Sequence, residues 1–377
     1  MTTRAFELRG LDGANPLGFL AALGALASLS EARLGEPKLR WMEAPRWTPV
    51  LEGVAAHDPS DLSRAVSDAL RGASIDPKAE TRRAEAQHEM ENAKTAIKKK
   101  LGEIKKRGLR GAARSEAVER ELLPLQREYE EKRRLWLEAL REAVPSPELA
   151  LGKRIDCTSE EFRTLAATLA AESTSASRGS LDLLAAFGSD ACLQARSEAI
   201  QPTPFCFVTG SGHQFFLDTA RQLMARVAED RVQSVLFAPW DYRDEGLSLR
   251  WDPIEDRRYA LMDRDPTASD NRPRTVWMAN LLAYRALALF PSAPVGSRLV
   301  TAGWDYEGRT FTWPLWQYPV GLDGVRSLVQ LRLLVEERPD PTVLRSRGIA
   351  AVFRAERIEV GEGANRKLNF SPSRRVC

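Results

Sequence analysis

The densest charge in the sequence lies between residues 94 and 114, KTAIKKKLGEIKKRGLRGAAR. Six lysines and three arginines stand there against one glutamate, which gives the segment +8, whereas the whole chain carries +3 and the remainder therefore −5. A basic segment on a mildly acidic protein indicates contact with a polyanion, most simply nucleic acid. A solvated helix that only keeps the protein soluble is an equally open interpretation. The candidate phosphate-binding residues are Lys94, Lys98, Lys99, Lys100, Lys105, Lys106, Arg107, Arg110 and Arg114.

Arginine, asparagine and glutamine residues farther along the chain form a second set of candidate contacts. These side chains read base edges, whereas lysine mostly meets phosphates. Arg178 stands beside Gly179 in a small, polar segment, where it could face a phosphate or be an ordinary loop arginine. The other members are Gln214, Arg250, Arg257, Arg258, Asn271 and Arg274. Interleaved aromatic residues could stack on bases or belong to the core: Trp240, Tyr242, Trp251, Tyr259 and Trp277.

An acidic cluster in the stretch RWDPIEDRRYALMDRDP offers different chemistry. Two or more carboxylates that converge on Mg²⁺ would make a nuclease, and Asp252, Glu255 and Asp256 are the candidates for it. Each acid of the cluster, including Asp263 and Asp265, stands beside an arginine. Neighbouring opposite charges favour ion pairing, so the cluster predicts a structural or electrostatic role before a metal site.

Other catalytic and cofactor patterns are missing from the sequence. The four cysteines have no CxxC spacing and the three histidines form no metal-binding motif, which argues against a zinc site and fits a reducing cytoplasm. Neither a GxxxxGK[ST] loop nor a GxGxxG fingerprint occurs. The apolar run at residues 16–29 is too short to span a bilayer. We therefore expect a cytoplasmic protein with no cofactor, no metal and no membrane contact.

The basic segment lies where two long helices are predicted to meet. The first runs from Asp76-Pro77 to about Arg107, Gly108 and Gly111 break it, and the second runs from about Ser115 to Val144. Apolar residues recur at heptad spacing along both helices, which predicts an antiparallel, coiled-coil-like hairpin with a basic tip. Pro124 should kink the second arm or mark its true start.

The remainder of the sequence predicts a mixed body. The opening reads as a strand with Phe6 and Leu8, then a helix with Asn15 as N-cap and Pro16 in its first turn. Further strands are expected at Lys38–Met42, Val50–Leu51, Phe205–Thr209, Val232–Phe237, Ser248–Trp251, Leu299–Ala302, Thr310–Trp313 and Ala351–Val360. Helices are expected at Ser60–Arg71, Gln214–Ala228, Thr275–Ala288 and Gly324–Val335.

We therefore predict an α+β fold, a mixed α/β body with an inserted long antiparallel helical hairpin. Four regions are expected: an N-terminal α/β region at 1–75, the hairpin at 76–144, a helical region at 145–200, and an α+β body rich in Trp and Arg at 201–377.

Two blocks of sequence resemble a known group of proteins. The opening LDGANPLGFLAALGALASL resembles the start of large-subunit (Cascade) proteins of type I CRISPR interference complexes, U/G subtype. A second block, from PTPFCFVTGSGHQFFLDTAR through LRWDPIEDRRYAL and ANLLAYRALALFP to TAGWDYEGRTFTWPLW, resembles shorter members of that group. Together the blocks cover residues 6–30 and about 204–320. None of these motifs is a catalytic signature, and the hairpin is not part of the resemblance.

The resemblance implies a non-catalytic, DNA-binding subunit of an RNA-guided effector complex in antiviral defence. Such subunits recognise a motif that flanks the target, help to open the duplex and recruit a helicase-nuclease, while guide pairing supplies most of the specificity. The implied partners are target double-stranded DNA, other CRISPR effector subunits with their guide RNA, and the helicase-nuclease. Two alternatives stay open: a metal-dependent nuclease, and a coiled-coil assembly scaffold whose hairpin docks a protein.

Overall fold

A computed structural model describes residues 4–174, 177–195, 197–208, 214–255, 274–360 and 367–377. The chain divides into two units, which we call the body (Met1–Gly72 and Lys153–Cys377) and the hairpin unit (Ala73–Gly152). Helices and small antiparallel sheets alternate in the body, whereas the hairpin unit is helical. The predicted α+β class is confirmed.

The hairpin unit contains α3 (Pro77–Lys106), α4 (Gly111–Glu121), α5 (Leu123–Glu142) and a 3-10 turn at Pro147–Leu151. Asp76 caps α3, with its side chain accepting from the backbone N–H of Lys78, and Pro77 fills the first turn as predicted. The second arm begins at Gly111, earlier than the predicted Ser115. Pro124 lies in the first turn of α5, where its missing N–H needs no partner, so it marks a helix start.

Three ion pairs across the hairpin unit fix its antiparallel register. Arg82 contacts Glu142 and Lys132 contacts Glu89, each at 2.6 Å, and Arg107 contacts Glu121 at 2.7 Å. The apolar core of the unit consists of Met90, Trp136, Leu137 and Leu140, with Ala86, Tyr129 and Val144 packed against it. These residues lie toward the ends of the helices remote from the α3–α4 loop. Near that loop the buried apolar residues are fewer: Ile104, Ala117 and Leu122.

Helix α1 (Pro16–Glu31) is buried on nearly every side. Asn15 caps it as predicted, because its Oδ1 accepts from the N–H groups of Leu17 at 2.8 Å and Gly18 at 3.3 Å. The small residues of α1 permit close approach to α10 (Trp277–Ala286). A β-carbon on Gly24 would lie only 1.7 Å from the carbonyl oxygen of Leu282, so this position excludes any larger residue.

Two four-stranded antiparallel sheets belong to the body. The first has the order β1 (Phe6–Glu7), β3 (Trp47–Val54), β2 (Gly35–Glu43) and β9 (Val320–Gly321). In the second, β10 (Ile349–Val360) pairs with β8 (Thr310–Trp316), β11 (Lys367–Phe370) and β12 (Arg374–Arg375). Two-stranded ribbons join β4 (Asp244–Glu245) to β5 (Arg274–Thr275), and β6 (Ser292–Val295) to β7 (Arg298–Thr301).

Aromatic rings fill the space beneath the second sheet. Phe311 lies at their centre, with ring centroids 5.1 Å from those of Phe205 and Trp313 and 5.5 Å from that of Trp304. All four residues are buried. The tryptophan-rich stretch of the sequence is thus largely core.

The structure describes seven further helices in the body, together with two 3-10 turns. They are α2 (Pro59–Leu70), α6 (Ser159–Glu172), α7 (Gly179–Phe187), α8 (Phe216–Met224), α9 (Glu229–Phe237), α11 (Leu322–Val329) and α12 (Pro341–Ser346), with 3-10 turns at Leu287–Leu289 and Arg332–Val335.

Three of the predicted strands are wrong. Residues 232–237 belong to α9, in which Val232, Val235 and Leu236 are buried at the spacing of one helix face. Residues 205–208 and 248–251 form no strand, although Phe205 and Trp251 are fully buried there. Short apolar runs do not separate a strand from a buried helix or loop, because burial alone explains them.

Candidate nucleic-acid interface

The tip of the hairpin unit is built by the last turns of α3, a four-residue loop and the first turn of α4. Gly108 and Gly111 have φ values of +66° and +51°, a conformation that suits glycine. Gly108 follows the last turn of α3, where a left-handed residue commonly ends a helix. No atom lies within 4 Å of a β-carbon built on either glycine, so the backbone conformation alone explains them.

The nine predicted phosphate-binding residues of the tip fall into two groups. Two of them are engaged: Lys100 contacts Glu103 at 2.8 Å, and Arg107 contacts Glu121 at 2.7 Å. The other seven make no ion pair or side-chain hydrogen bond within the described part of the chain, and all seven are exposed. We call these seven the free cations: Lys94, Lys98, Lys99, Lys105, Lys106, Arg110 and Arg114.

Helical spacing sorts the lysines of α3 onto different faces. Lys94, Lys98 and Lys105 follow one flank, since they are separated by four and seven residues. Lys99 and Lys106 lie opposite the buried face that contains Ile104. From Lys94 to Lys106 the helix rises about 18 Å at 1.5 Å per residue, which matches roughly five base steps of a duplex at 3.4 Å each.

The engaged pairs lie on the other flank of α3 and neutralise the nearby acids. The hydrogen bond from Lys100 lowers the pKa of Glu103, the only acid of the basic segment, and Glu103 in turn raises the pKa of Lys100. The hydrogen bond from Arg107 lowers the pKa of Glu121. Lys100, Glu103 and Glu121 therefore stay ionised at neutral pH, and the flank with Lys98 and Lys105 keeps its positive potential.

Most of the candidate arginines of the body are engaged inside the body. Arg250 is only 6% exposed, which contradicts its predicted contact with nucleic acid. Arg178 donates from Nε and Nη2 to Asp182, with the shortest contact at 2.6 Å, so its guanidinium is engaged in an ion pair. Arg274 contacts Glu245 at 2.7 Å and donates to the carbonyl oxygen of Arg243.

Gln214 is partly exposed, and its Nε2 lies 3.7 Å from the place of a β-carbon on Gly246. It thus borders the β4–β5 ribbon that contains Arg274. The predicted contacts Arg257, Arg258 and Asn271 lie outside the described residues, as do Tyr259, Asp256, Asp263 and Asp265.

The aromatic candidates for base stacking that the structure describes are occupied by the protein itself. Trp251 is fully buried, and Tyr242 is buried with its hydroxyl donating to Asp252 at 2.7 Å. The guanidinium carbons of Arg226 and Arg231 lie 5.4 Å and 4.7 Å from the centroid of Trp277. These cation–π contacts could not be foreseen from the sequence, because the two arginines stand 277 − 226 = 51 and 277 − 231 = 46 positions before Trp277.

The acidic cluster is a buried network of hydrogen bonds. Asp252 accepts from the amide of Asn15 at 3.0 Å, and Glu255 accepts from the hydroxyls of Ser248, at 2.5 Å, and Thr275. Burial, together with the neighbouring Asp252, raises the pKa of Glu255 to about 7. Hydroxyl and amide groups therefore contact these two carboxylates inside the protein, and the charge of Arg250, an arginine of the same stretch, also acts on Glu255.

No group of three or more His, Cys, Asp or Glu residues suited to a metal ion occurs among the residues that the structure describes. Within those residues, no helix has the length and apolar character needed to cross a membrane. No protein-family model matches the chain, and a search of curated proteins finds no relative of it.

Proposed function

We propose that the tip of the hairpin unit binds the phosphate backbone of nucleic acid. The single observation that carries the proposal is the set of seven exposed cations that make no ion pair or side-chain hydrogen bond within the described part of the chain. A cation held in an ion pair must give up its carboxylate before it can bind a phosphate. A free cation can bind a phosphate without breaking an existing ion pair. Release of condensed counterions from the nucleic acid then drives association.

Lysine supplies most of this charge, and this favours phosphate contact over base recognition. Five of the seven free cations are lysines, which act as point charges toward phosphates. In the body, Arg250 and Trp251 are buried, so they offer no base-reading surface. We therefore expect the tip to bind duplexes of different sequence with similar affinity.

In the fuller proposal, the protein is a non-catalytic DNA-binding subunit of an RNA-guided CRISPR type I effector complex. Its support is the resemblance of residues 6–30 and about 204–320 to large subunits of such complexes, together with the basic tip. In that setting the tip would hold duplex DNA next to the guide-paired region, while partner subunits hold the guide RNA and a helicase-nuclease is recruited. A cytoplasmic location follows from this assignment.

A charge-reversal pair tests the phosphate contact. Lys98→Glu with Lys105→Glu changes the free flank of α3, whereas Lys78→Glu with Arg141→Glu makes the same change of charge far from the tip, also at exposed positions without partners in the described chain. Fluorescence anisotropy with a labelled 30-base-pair duplex measures both. We expect at least a tenfold loss of affinity for the tip variant and less than threefold for the control. Equal losses would refute a specific role of the tip.

Purification of the tagged protein from its host tests the assembly. Recovery of short repeat-derived RNA with several co-purifying proteins is expected from an effector subunit. Recovery of the protein without RNA would reject the effector assignment, but it would not contradict phosphate binding by the tip.

A second candidate function, the assembly scaffold, gains support from one observation. Leu101, Leu123 and Leu135 remain 47%, 37% and 39% exposed after the arms of the hairpin have paired. Such residues on a helical hairpin suit a protein partner. Leu101→Gln with Leu123→Gln should abolish capture of a protein partner while duplex affinity is kept, if the hairpin is a scaffold. Partner capture that survives both substitutions would reject this candidate.

A further inference from the structure

A cavity of about 180 Å³ in the body is lined mainly by charged residues. Four helices supply them: the C-terminal end of α1, the N-terminal end of α7, the end of α10 and the start of α11. The charged lining consists of Glu31, Arg33, Arg178, Asp182, Arg285, Asp323 and Arg326. Cavities for drug-sized ligands are usually larger, about 300–1,000 Å³, so this volume suits one small group.

The ion pairs at the cavity leave an excess of positive charge. Asp182 is shared by two arginines, with contacts of 2.6 Å to Arg178 and 2.8 Å to Arg326. Arg285 is paired with Glu31. Four guanidinium groups thus face three carboxylates, and the buried Asp182 contacts two of them. One further anion would balance the lining.

Hydrogen-bond donors at the cavity also lack acceptors. Arg326 donates to Asp182 from Nη2, and its buried Nε has no partner among the described residues. An orphaned donor of this kind is costly unless a ligand or water takes the bond after a small adjustment. The lining also includes the first residues of α7 and α11, Gly179 and Leu322, and neither helix has a side-chain cap. The dipoles of both helices add positive potential, of which the carboxylate of Glu31 beside Gly179 already balances a part at α7.

The backbone conformation of Arg33 independently supports a functional role for its side chain at this cavity. It follows the C-cap of α1 with φ of +56°, a left-handed conformation that glycine or asparagine usually occupies at the end of a helix. An arginine there carries a conformational cost that glycine would not. Strained residues of this kind cluster at ligand sites.

The geometry points to a site for one phosphate group, either inorganic phosphate or the phosphate of a small phosphorylated molecule, held by Arg33, Arg178 and Arg326. Guanidinium groups form paired hydrogen bonds with phosphate oxygens, which a chloride ion cannot reproduce. The site involves residues of the body alone, so a test of this site is independent of the proposal for the basic tip.

Calorimetric titration of the full-length protein with inorganic phosphate, and separately with AMP, tests this site at constant ionic strength. We expect saturable binding of phosphate with a dissociation constant of 1 mM or below, and a higher melting temperature in phosphate than in sodium chloride. Tighter binding of AMP than of phosphate would identify a phosphorylated small molecule as the occupant, and equal binding would identify phosphate itself. No saturable heat with either probe would overturn the proposal.

Three variants separate a ligand site from a structural ion-pair network. Arg326→Ala should weaken binding at least tenfold, although it can also destabilise the body. Arg33→Gly should weaken binding several-fold and raise the melting temperature of the ligand-free protein, because glycine relieves the strained backbone. Arg309→Ala, at an exposed arginine outside the cavity, should change neither. Unchanged phosphate affinity in Arg33→Gly and Arg326→Ala would reject the site.

Discussion

Arg354 of the body is 7% exposed and donates to Thr312 Oγ1 at 3.0 Å and to the carbonyl oxygens of Leu334, Glu336 and Glu337. Lys98 and Lys105 of the hairpin unit are exposed, and neither has a partner within the described chain. Burial even lowers the pKa of the Arg354 guanidinium. The same class of side chain thus stabilises the fold in the body and stays available for a ligand at the tip.

The apolar cores of the two units also differ, in size and in how completely they are buried. In the body, α1 is buried on nearly every side, and the aromatic residues around Phe311 are buried. In the hairpin unit, the core is a short cluster around Trp136 and Leu140, and the tip retains few buried apolar residues. In such a helical hairpin, charged residues at the tip lie away from the apolar cluster that stabilises the two arms. At the tip, exposure and the lack of an ion pair, rather than charge count, distinguish the candidate binding residues.

The largest expected effect on stability comes from the aromatic core of the body. Phe311→Ala removes the ring that contacts Phe205, Trp304 and Trp313, and a cavity of this kind costs about 3–5 kcal/mol of unfolding free energy. Urea denaturation followed by tryptophan fluorescence measures the loss. Trp136→Ala in the hairpin unit should instead reduce helical circular dichroism and leave the main unfolding midpoint nearly unchanged. A large shift of that midpoint would contradict separate cores.

A pH-dependent effect is expected from Glu255 in the body. Its folded pKa of about 7 lies above the usual 4.5, so the folded state binds the proton more tightly. The stabilisation is complete below about pH 4.5 and is lost as pH rises through 7, by on the order of 3 kcal/mol. Denaturation curves at pH 5, 6, 7 and 8 measure it. Glu255→Gln should flatten this dependence, and an unchanged slope in that variant would assign it elsewhere.

Asn15 joins the start of α1 to the acidic network, and we expect its loss to cost about 2 kcal/mol. Asn15→Ala removes the helix cap and leaves Oδ1 of the buried Asp252 with one donor fewer. Asn15→Asp is the matched variant, because it keeps the cap acceptor but sets a second carboxylate beside Asp252. It should be at least as destabilised at pH 7 and partly recover at pH 4. Wild-type stability of either variant would contradict the structural role of Asn15.

The smallest expected effect concerns the exposed ion pairs of the tip. Lys100→Gln and Arg107→Gln each remove one partner of a solvent-exposed pair, and such pairs contribute little to stability. Thermal unfolding should show no resolvable shift of the midpoint in either variant. A clear drop would mean that these pairs hold the tip together and that its charge is partly structural.

Local signals in the sequence predicted the hairpin and its cap correctly. These signals are the heptad spacing, Gly108 and the helix start at Asp76-Pro77. Each depends only on residues that are near one another in the sequence, so it can be recognised without knowledge of the fold. The pairing of Lys100 with Glu103 was also within reach, since they are one helical turn apart. The contact of Arg107 with Glu121 depends on hairpin register and could not be foreseen.

Long-range contacts explain the errors in the body. Arg250 was predicted to contact nucleic acid because arginine reads base edges, but it is buried, and its neighbours Leu249 and Trp251 bond to Asn280 and Phe205, 31 and 46 positions away. The pair of Arg178 with Asp182 is local, since the two residues are one helical turn apart, but Arg326, which shares that carboxylate, lies 144 positions farther along. Val232–Phe237 was assigned to a strand because a short apolar run carries no period.

The salt dependence of duplex binding tests the distinction between free and engaged cations most directly. Affinity for one 30-base-pair duplex would be measured at several NaCl concentrations for wild type, for Lys98→Gln with Lys105→Gln, and for Lys100→Gln with Arg107→Gln. Both variants lose two positive charges. If free cations contact phosphates, the first variant should lower the slope of log affinity against log salt by about 2, and the second should change it much less. Equal changes in both variants, or none in the first, would contradict the account.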